Sequence, residues 1–250
     1  MEHIWTVGAR QPGEAQGRLR PRAEEGTPLP RLRSRPALDR EEQTIRATLL
    51  SMLDLIGARV GLTIDALEGH DAALALTVIE GDAQINALAA TALEQVVWTI
   101  ATQSPVARDL RFLLTLDRLA SEIERIGDSI ANVAKRVREI APEPALADYL
   151  GIPAMGRLVA QILADVRVAL ANADAGAARA IARQDDAIDA CYHGVSAQLI
   201  ALSQASSLDF GQASRLLIAA HYLERIGDRA TNIAEGIVFL VTGEHEDLNP

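Results

Sequence analysis

One segment of the chain is written twice. Residues 124–134 read ERIGDSIANVA and residues 224–234 read ERIGDRATNIA, identical at seven of eleven positions with an offset of 100. A second echo sets Asp82-Ala-Gln-Ile85-Asn86-Ala87 against Asp185-Asp-Ala-Ile188-Asp189-Ala190, at an offset of 103. Two matches in the same order, with a three-residue difference in a connecting loop, are the mark of a duplicated unit. The fold must be one that half the chain can build and then set beside its own copy.

The unit is helical. Apolar residues make up 49% of the chain but aromatic residues only 3%, so alanine, leucine, isoleucine and valine supply the core. In the third segment Leu116, Leu119, Ile123, Ile126, Ile130, Val133, Val137 and Ile140 alternate by three and four, a heptad seam. Gly69-His70-Asp71 reads as a turn with Asp71 as N-cap, and Ser104-Pro105 as an N-cap followed by proline at the first helical position. Asp174 and Ser207 are further candidate caps. These signals predict helices over 40–68, 72–103, 105–140, 154–172, 175–204 and 208–242. The expected class is all-α: six long antiparallel helices forming two tandem three-helix bundles. The repeats span 40–141 and 154–243, joined by a linker at 142–153 and followed by a tail at 244–250.

Residues 1–39 are different material. Residues 1–40 hold five of the ten prolines and eight arginines against five acidic residues, a local charge of +3. Because the whole chain is −10, residues 41–250 carry −13. A disordered tail is expected here, without an assigned function, and no apolar run follows the arginines to make a secretory signal. The acidic body argues against nucleic acid, whose phosphates need a basic surface. A single cysteine, Cys191, rules out an internal disulfide and a cysteine zinc site. No uninterrupted apolar run approaches a bilayer span, so no transmembrane helix and a cytoplasmic location are expected. A helix lying on lipid would carry Lys and Arg along its polar face, whereas Lys135 is the one lysine of the chain.

What repeats is acidic. Glu124 and Asp128, and again Glu224 and Asp228, stand four apart on one helix face. At 100° per residue each pair lies roughly 150° from the centre of the seam, on the outer face of its bundle. The second helix of each unit offers a partner pair, Asp82/Asn86 and Asp185/Asp189. An acid followed four residues later by Asp occurs only at Glu124, Asp185 and Glu224 within the repeats, and Asp82 to Asn86 is the near miss at the fourth equivalent position. If these helices pack side by side, oxygen ligands converge in each repeat, suited to hard or borderline cations. His193 and His221 stand one turn from the second set. Two readings stand for the acids, cation sites or solvated surface, and two for Gly127 and Gly227, tight helix packing or approach of a ligand. Catalysis finds no support: there is no Glu-x-x-His, no glycine-rich phosphate loop and no Ser/His/Asp grouping. No enzyme is expected.

The segments LERIGDRATNIAE at 223–235, IERIGDSIANVAK at 123–135 and SPVARDLRFLLTLDRLASEIERIGD at 104–128, with the paired acids and the duplication, resemble the PhoU family over about 40–243. The resemblance implies two tandem three-helix bundles binding metal clusters through Glu/Asp-x-x-x-Asp motifs. It implies a non-catalytic negative regulator of phosphate uptake and the phosphate regulon, linking the importer's ATPase subunit to a sensor histidine kinase. Membrane association would come only through these partners, and a homodimer is expected. The implied metal ligands are Glu124, Asp128, Asp82, Asn86, Asp185, Asp189, Glu224 and Asp228, with iron, manganese, zinc or magnesium as the ion. Two departures weaken the first site: Asn86 replaces an acid, and Lys135 stands where the second copy has Glu235.

Overall fold

A computed structural model of the chain describes residues 35–205 and 207–249, so the expected disordered tail falls outside the described residues up to 34. Six long helices follow: α1 (Pro36–Glu68), α2 (Ala72–Gln103), α3 (Arg108–Ile140), α4 (Ile152–Asn172), α5 (Ala175–Gln204) and α6 (Phe210–Thr242). The first begins four residues earlier than predicted, because Pro36, with its φ preset and no N–H to satisfy, starts a helix well. Asp71 and Asp174 are the caps the sequence suggests. Asp71 accepts from the Ala73 and Leu74 amides at 2.9 Å each, and Asp174 from Gly176 and Ala177 at 2.8 and 3.0 Å.

Two cap assignments are corrected. Ser104 ends α2 in the left-handed region at φ 46°, and α3 starts only at Arg108. Pro105 supplies no amide and restricts the residue before it, so α2 stops rather than α3 starting. Arg35 closes this corner, donating to the Gln103 carbonyl and, at 3.4 Å, to Asp109. At α6 the cap is Asp209 instead of Ser207, accepting from the Gln212 amide at 3.1 Å, with Leu208 buried just before it. The linker is also more ordered than a plain connection. It holds a 3-10 turn, Ala147–Gly151. Tyr149 in that turn bonds His70, whose Nδ1 lies 3.2 Å from the Ala141 carbonyl.

Within each repeat the three helices pack on one another, and across the repeats α3 packs on α6 and α1 on α4. Ion pairs show the sense of the second contact. Arg157 meets Glu68 and Arg167 meets Asp54, so α1 and α4 run antiparallel. The α3–α6 contact is as extensive as those inside a repeat, and the two bundles share one continuous apolar core. α1 contains an 18-residue window long and apolar enough to match a span by composition, which the test for an uninterrupted apolar run misses. In the fold it is a core helix, with Ile45, Leu49, Met52 and Ile56 fully buried.

Candidate metal centres

The α2–α3 groove and the α5–α6 groove each gather the predicted residues into a row. The rows lie along the open edges of these grooves: Asp128 and Asn86 are exposed, as helical-wheel counting suggests, while the other acids are drawn part-way in. α3 packs against α1, α2 and α6, and α6 against α3, α4 and α5, yet α3 keeps an exposed stripe through Leu114, Arg118, Ser121, Arg125, Asp128 and Lys135. Glu124, Glu224 and Asp228 are half-buried, and Asp185 is 2% exposed.

Gly127 and Gly227 explain how the second-helix acids come so close. A Cβ at Gly227 would sit 2.1 Å from Asp185 Oδ1. One at Gly127 would meet Ile85 Cδ1 at 2.9 Å and Asp82 Oδ1 at 3.4 Å. The glycines therefore serve tight helix packing, and what they admit is the carboxylate of the neighbouring helix.

In the first row Asn86 donates to Asp82 Oδ2 at 3.3 Å, and Lys135 donates to Asn132 at 3.0 Å. Burial and then the neighbouring Asp128 raise the Asp82 carboxyl above its ordinary range, opposed by Asn86, Arg59 and Lys135. Glu124 is raised by burial, then by Asp128 and Asp82. In the second row no lysine or arginine opposes the rise at Asp185. Burial, then Asp189 and Asp228, push Asp185 up to about 6, although its Oδ2 accepts from Thr231 at 3.3 Å. Burial and Asp228 likewise raise Asp189 and Glu224, opposed by His193 and His221 respectively. His221 Nδ1 stands 3.4 Å from Glu224 Oε2.

The residues C-terminal to α6 fold back beside this second row. Gly243 turns the chain at φ 77°, His245 stacks on Phe239, and Glu246 takes a bidentate bond from Arg179 at 2.7 and 2.6 Å. The Leu248 amide donates to Glu235 at 3.1 Å. An open cavity of about 640 Å³ remains between this segment and Arg225, Asp228, Asn232 and Glu235.

Four acidic oxygens are buried without a hydrogen-bond partner among the described residues: Asp82 Oδ1, Asp185 Oδ1 and Glu224 Oε2 in the rows, and Glu143 Oε2 in the linker. Buried acceptors of this kind need a proton or a cation. In the second row the donor set, all carboxylate with imidazole nearby, fits a hard or borderline cation. Yet among the described residues no three His, Cys, Asp or Glu side chains converge closely enough to hold one ion. The acids meet pairwise, and loading an ion would require side-chain rotation.

Four residues at or between the rows escape the sequence reading. Thr231 bonds Asp185, and Arg59 reaches from α1 to Gln84 and Gly81, next to Asp82. Glu122 takes Arg229 at 2.8 Å and Arg125 at 3.3 Å, tying α3 to α6 between the two rows. Arg59 does leave a signal: it interrupts the apolar run Met52, Ile56, Thr63 and Leu67 at helical spacing.

A family model described as PhoU domain matches residues 49–137 and 152–237. A Serratia marcescens protein named Phosphate-specific transport system accessory protein PhoU is 34% identical over 204 residues, 82% of this chain and 84% of that protein. Its namesake from Escherichia coli strain K12 is 31% identical over 204 residues, 82% and 85% of the two chains. The crystal structure of PhoU from Pseudomonas aeruginosa superposes with a TM-score of 0.78 at 30% identity, covering 83% of this chain and 100% of that one. The phosphate transport system regulatory protein PhoU from Streptococcus pneumoniae gives a TM-score of 0.78 at 28% identity, covering 84% and 99%. The family is one of accessory and regulatory proteins rather than enzymes. By sequence over both repeats and by fold, the chain belongs to the PhoU family.

Proposed function

We propose that this protein is an accessory regulator of phosphate transport, acting as a non-catalytic adaptor between the importer's ATPase subunit and a sensor histidine kinase. Its effect would be negative, holding phosphate uptake and the phosphate regulon down when phosphate is plentiful. The observation that carries this reading is similarity over both repeats to proteins named for the phosphate-specific transport system. The long helical flanks suit an adaptor, because they offer extended faces to partner helices. A cytoplasmic homodimer that reaches the membrane only through its partners fits the acidic body.

In this reading Asp185, Asp189, Glu224 and Asp228 would hold a cation such as iron, manganese, zinc or magnesium, which supplies positive charge against the row. The chain's own contribution is to crowd these carboxylates behind Gly227, so that their charge is expensive to keep bare. A cation would then change the charge a partner meets at this face. Pairwise placement of the acids favours a second reading, a metal-free interaction module with the same partners.

Deletion of the gene and complementation test the regulatory role, read by a phosphate-starvation reporter and by retention of the ATPase and kinase on the purified chain. Complementation should restore repression at high phosphate. A reporter unaffected by deletion, with neither partner retained, would overturn the proposal. Complementation by a D185N/D189N/E224Q/D228N variant would favour the metal-free reading.

A further inference from the structure

Arg59 projects from α1 into the first repeat, only 8% exposed, in a helix otherwise apolar on that side. Its guanidinium lies against Gly81, where a Cβ would come within 2.9 Å of both Nε and Nη2, and Nη2 donates to Gln84 at 3.3 Å. Gly81 directly precedes Asp82; Arg59 makes no direct ion pair with Asp82, and Arg59 Nη1 and Asp82 Oδ1 are both buried without a hydrogen-bond partner, so the guanidinium acts on the carboxylate at longer range. The second repeat is built differently at both positions. At the offset of 103 that aligns the Asp71 and Asp174 caps, Ile162 replaces Arg59 and Gln184 replaces Gly81. An arginine thus stands where the other copy keeps a buried isoleucine, and a glycine stands where room is needed for it.

Two further cationic changes point the same way. Lys135 occupies the position of Glu235, and the Asn86 amide donates to Asp82 where the other copy has the acid Asp189. The first row thus sets three carboxylates, Asp82, Glu124 and Asp128, against Arg59 and Lys135. The second sets five, Asp185, Asp189, Glu224, Asp228 and Glu235, against no lysine or arginine outside the motif's own Arg225. Arg125 and Arg225 stand at equivalent places and do not separate the rows, whereas Arg229 of the second motif reaches across to the first repeat, where it bonds Glu122 and opposes the rise at Glu124.

We propose that Arg59, seated on Gly81 and assisted by Lys135, is the resident counter-cation of the first acid row and takes the place of a metal ion there, leaving the second row as the metal-binding one. The first half concerns only the chain's own charges. The second half rests on the metal reading above. Geometry favours the substitution because a guanidinium delivered from the core side neutralises Asp82 without drawing the other acids together. It also leaves no uncompensated row to attract an ion.

Two measurements on the full-length chain decide it. In EDTA, thermal melting of R59M, D82N and R59M/D82N forms a double-mutant cycle. If Arg59 neutralises Asp82, the fall in Tm caused by R59M should shrink to about half or less in the D82N background. R59Q, which keeps a polar tip, serves if R59M fails to fold. Additive effects would overturn the pairing. Separately, Mn²⁺ is titrated into metal-stripped protein. D185N/D228N should abolish binding, D82N/D128N should leave the ion count unchanged, and R59M/N86D/K135E should add at least one ion per chain, lost again on D82N. Equal loss of ions in the two acid-row variants, or a folded R59M/N86D/K135E that binds no more than the parent, would overturn the substitution. A parent chain that binds no Mn²⁺ at all sinks the metal reading instead, and the melting cycle then decides the role of Arg59 by itself.

Discussion

The two acid rows come from one duplicated unit, yet only part of that unit has stayed equal. Gly127 and Gly227, and the aspartates they admit, Asp82 and Asp185, keep their places because helix packing fixes them: a larger residue at either glycine strikes the neighbouring helix. Positions with freedom have diverged in charge. Asn86 faces Asp189, Lys135 faces Glu235 and Arg59 faces Ile162 across the repeat. Shape in such a duplication is held by the core, while charge drifts at the groove surface, and at the buried Arg59 only because Gly81 leaves room for it.

Cation affinity should separate the rows most widely. Neutralising the second row with D185N/D189N/E224Q/D228N should weaken Mn²⁺ binding by about 100-fold or more, measured by calorimetry on metal-stripped protein, because four charges leave one site. Neutralising the first row with D82N/E124Q/D128N should change it by less than about threefold. Comparable losses would break the contrast.

Glycine replacement is the next largest probe. Gly→Ala inside a helix ordinarily gains up to about 1 kcal/mol. At Gly227 the new methyl would collide with Asp185 Oδ1 and lie 3.2 Å from Ile188 Cδ1, so G227A should destabilise by about 1–3 kcal/mol in urea unfolding. G127A meets chiefly the flexible tip of Ile85 and should cost less, about 1 kcal/mol or below. A G227A protein as stable as its parent would show that Asp185 is free to move aside.

The pH dependence of the metal-free protein is smaller, and its sign is fixed. Asp185 has a folded pKa near 6, above that of the unfolded chain, so the folded state binds the proton more tightly. This group's penalty is present above about pH 6 and is relieved as pH falls from there toward the unfolded value near 4. Urea midpoints in EDTA at pH 7 and pH 5 should therefore favour pH 5 less in D185N than in the parent. D82N should alter the slope less, since Arg59, Lys135 and Asn86 oppose the rise at Asp82. Smallest of all, E246A removes an exposed ion pair with Arg179 and should leave the urea midpoint essentially unchanged in the same unfolding assay.

Much of this arrangement is legible in the sequence, and the reasons are local. The ERIGD repeat, the Asp71 and Asp174 caps and the heptad seam each depend on residues within a few turns of one another, so six helices and the pairing of acids follow from pattern alone. The Ser104 and Ser207 caps misread because a proline and a buried leucine, not the serines, decide where those helices begin. Placement of the acids on an open face holds for Asp128 and only in part for Glu124, Glu224 and Asp228, which close packing of the neighbouring helix at Gly127 and Gly227 half-buries, and no count along one helix reveals that. Arg59 is visible only as an interruption in a buried stripe, and Gln84, which it bonds, lies 25 residues away on another helix.

The shared α3–α6 face has an evolutionary consequence. A chain holding one repeat alone would leave a long apolar flank of its third helix against water, and a second copy of the same chain is the surface that fits it, in the antiparallel sense that a twofold axis imposes. The forerunner of this protein is thus most simply a homodimer of three-helix subunits, with both acid rows necessarily identical. Fusion of the two genes removed that requirement. Only after it could one row acquire an arginine while the other stayed acidic, so the asymmetry inside this chain is a freedom that a symmetric dimer does not have.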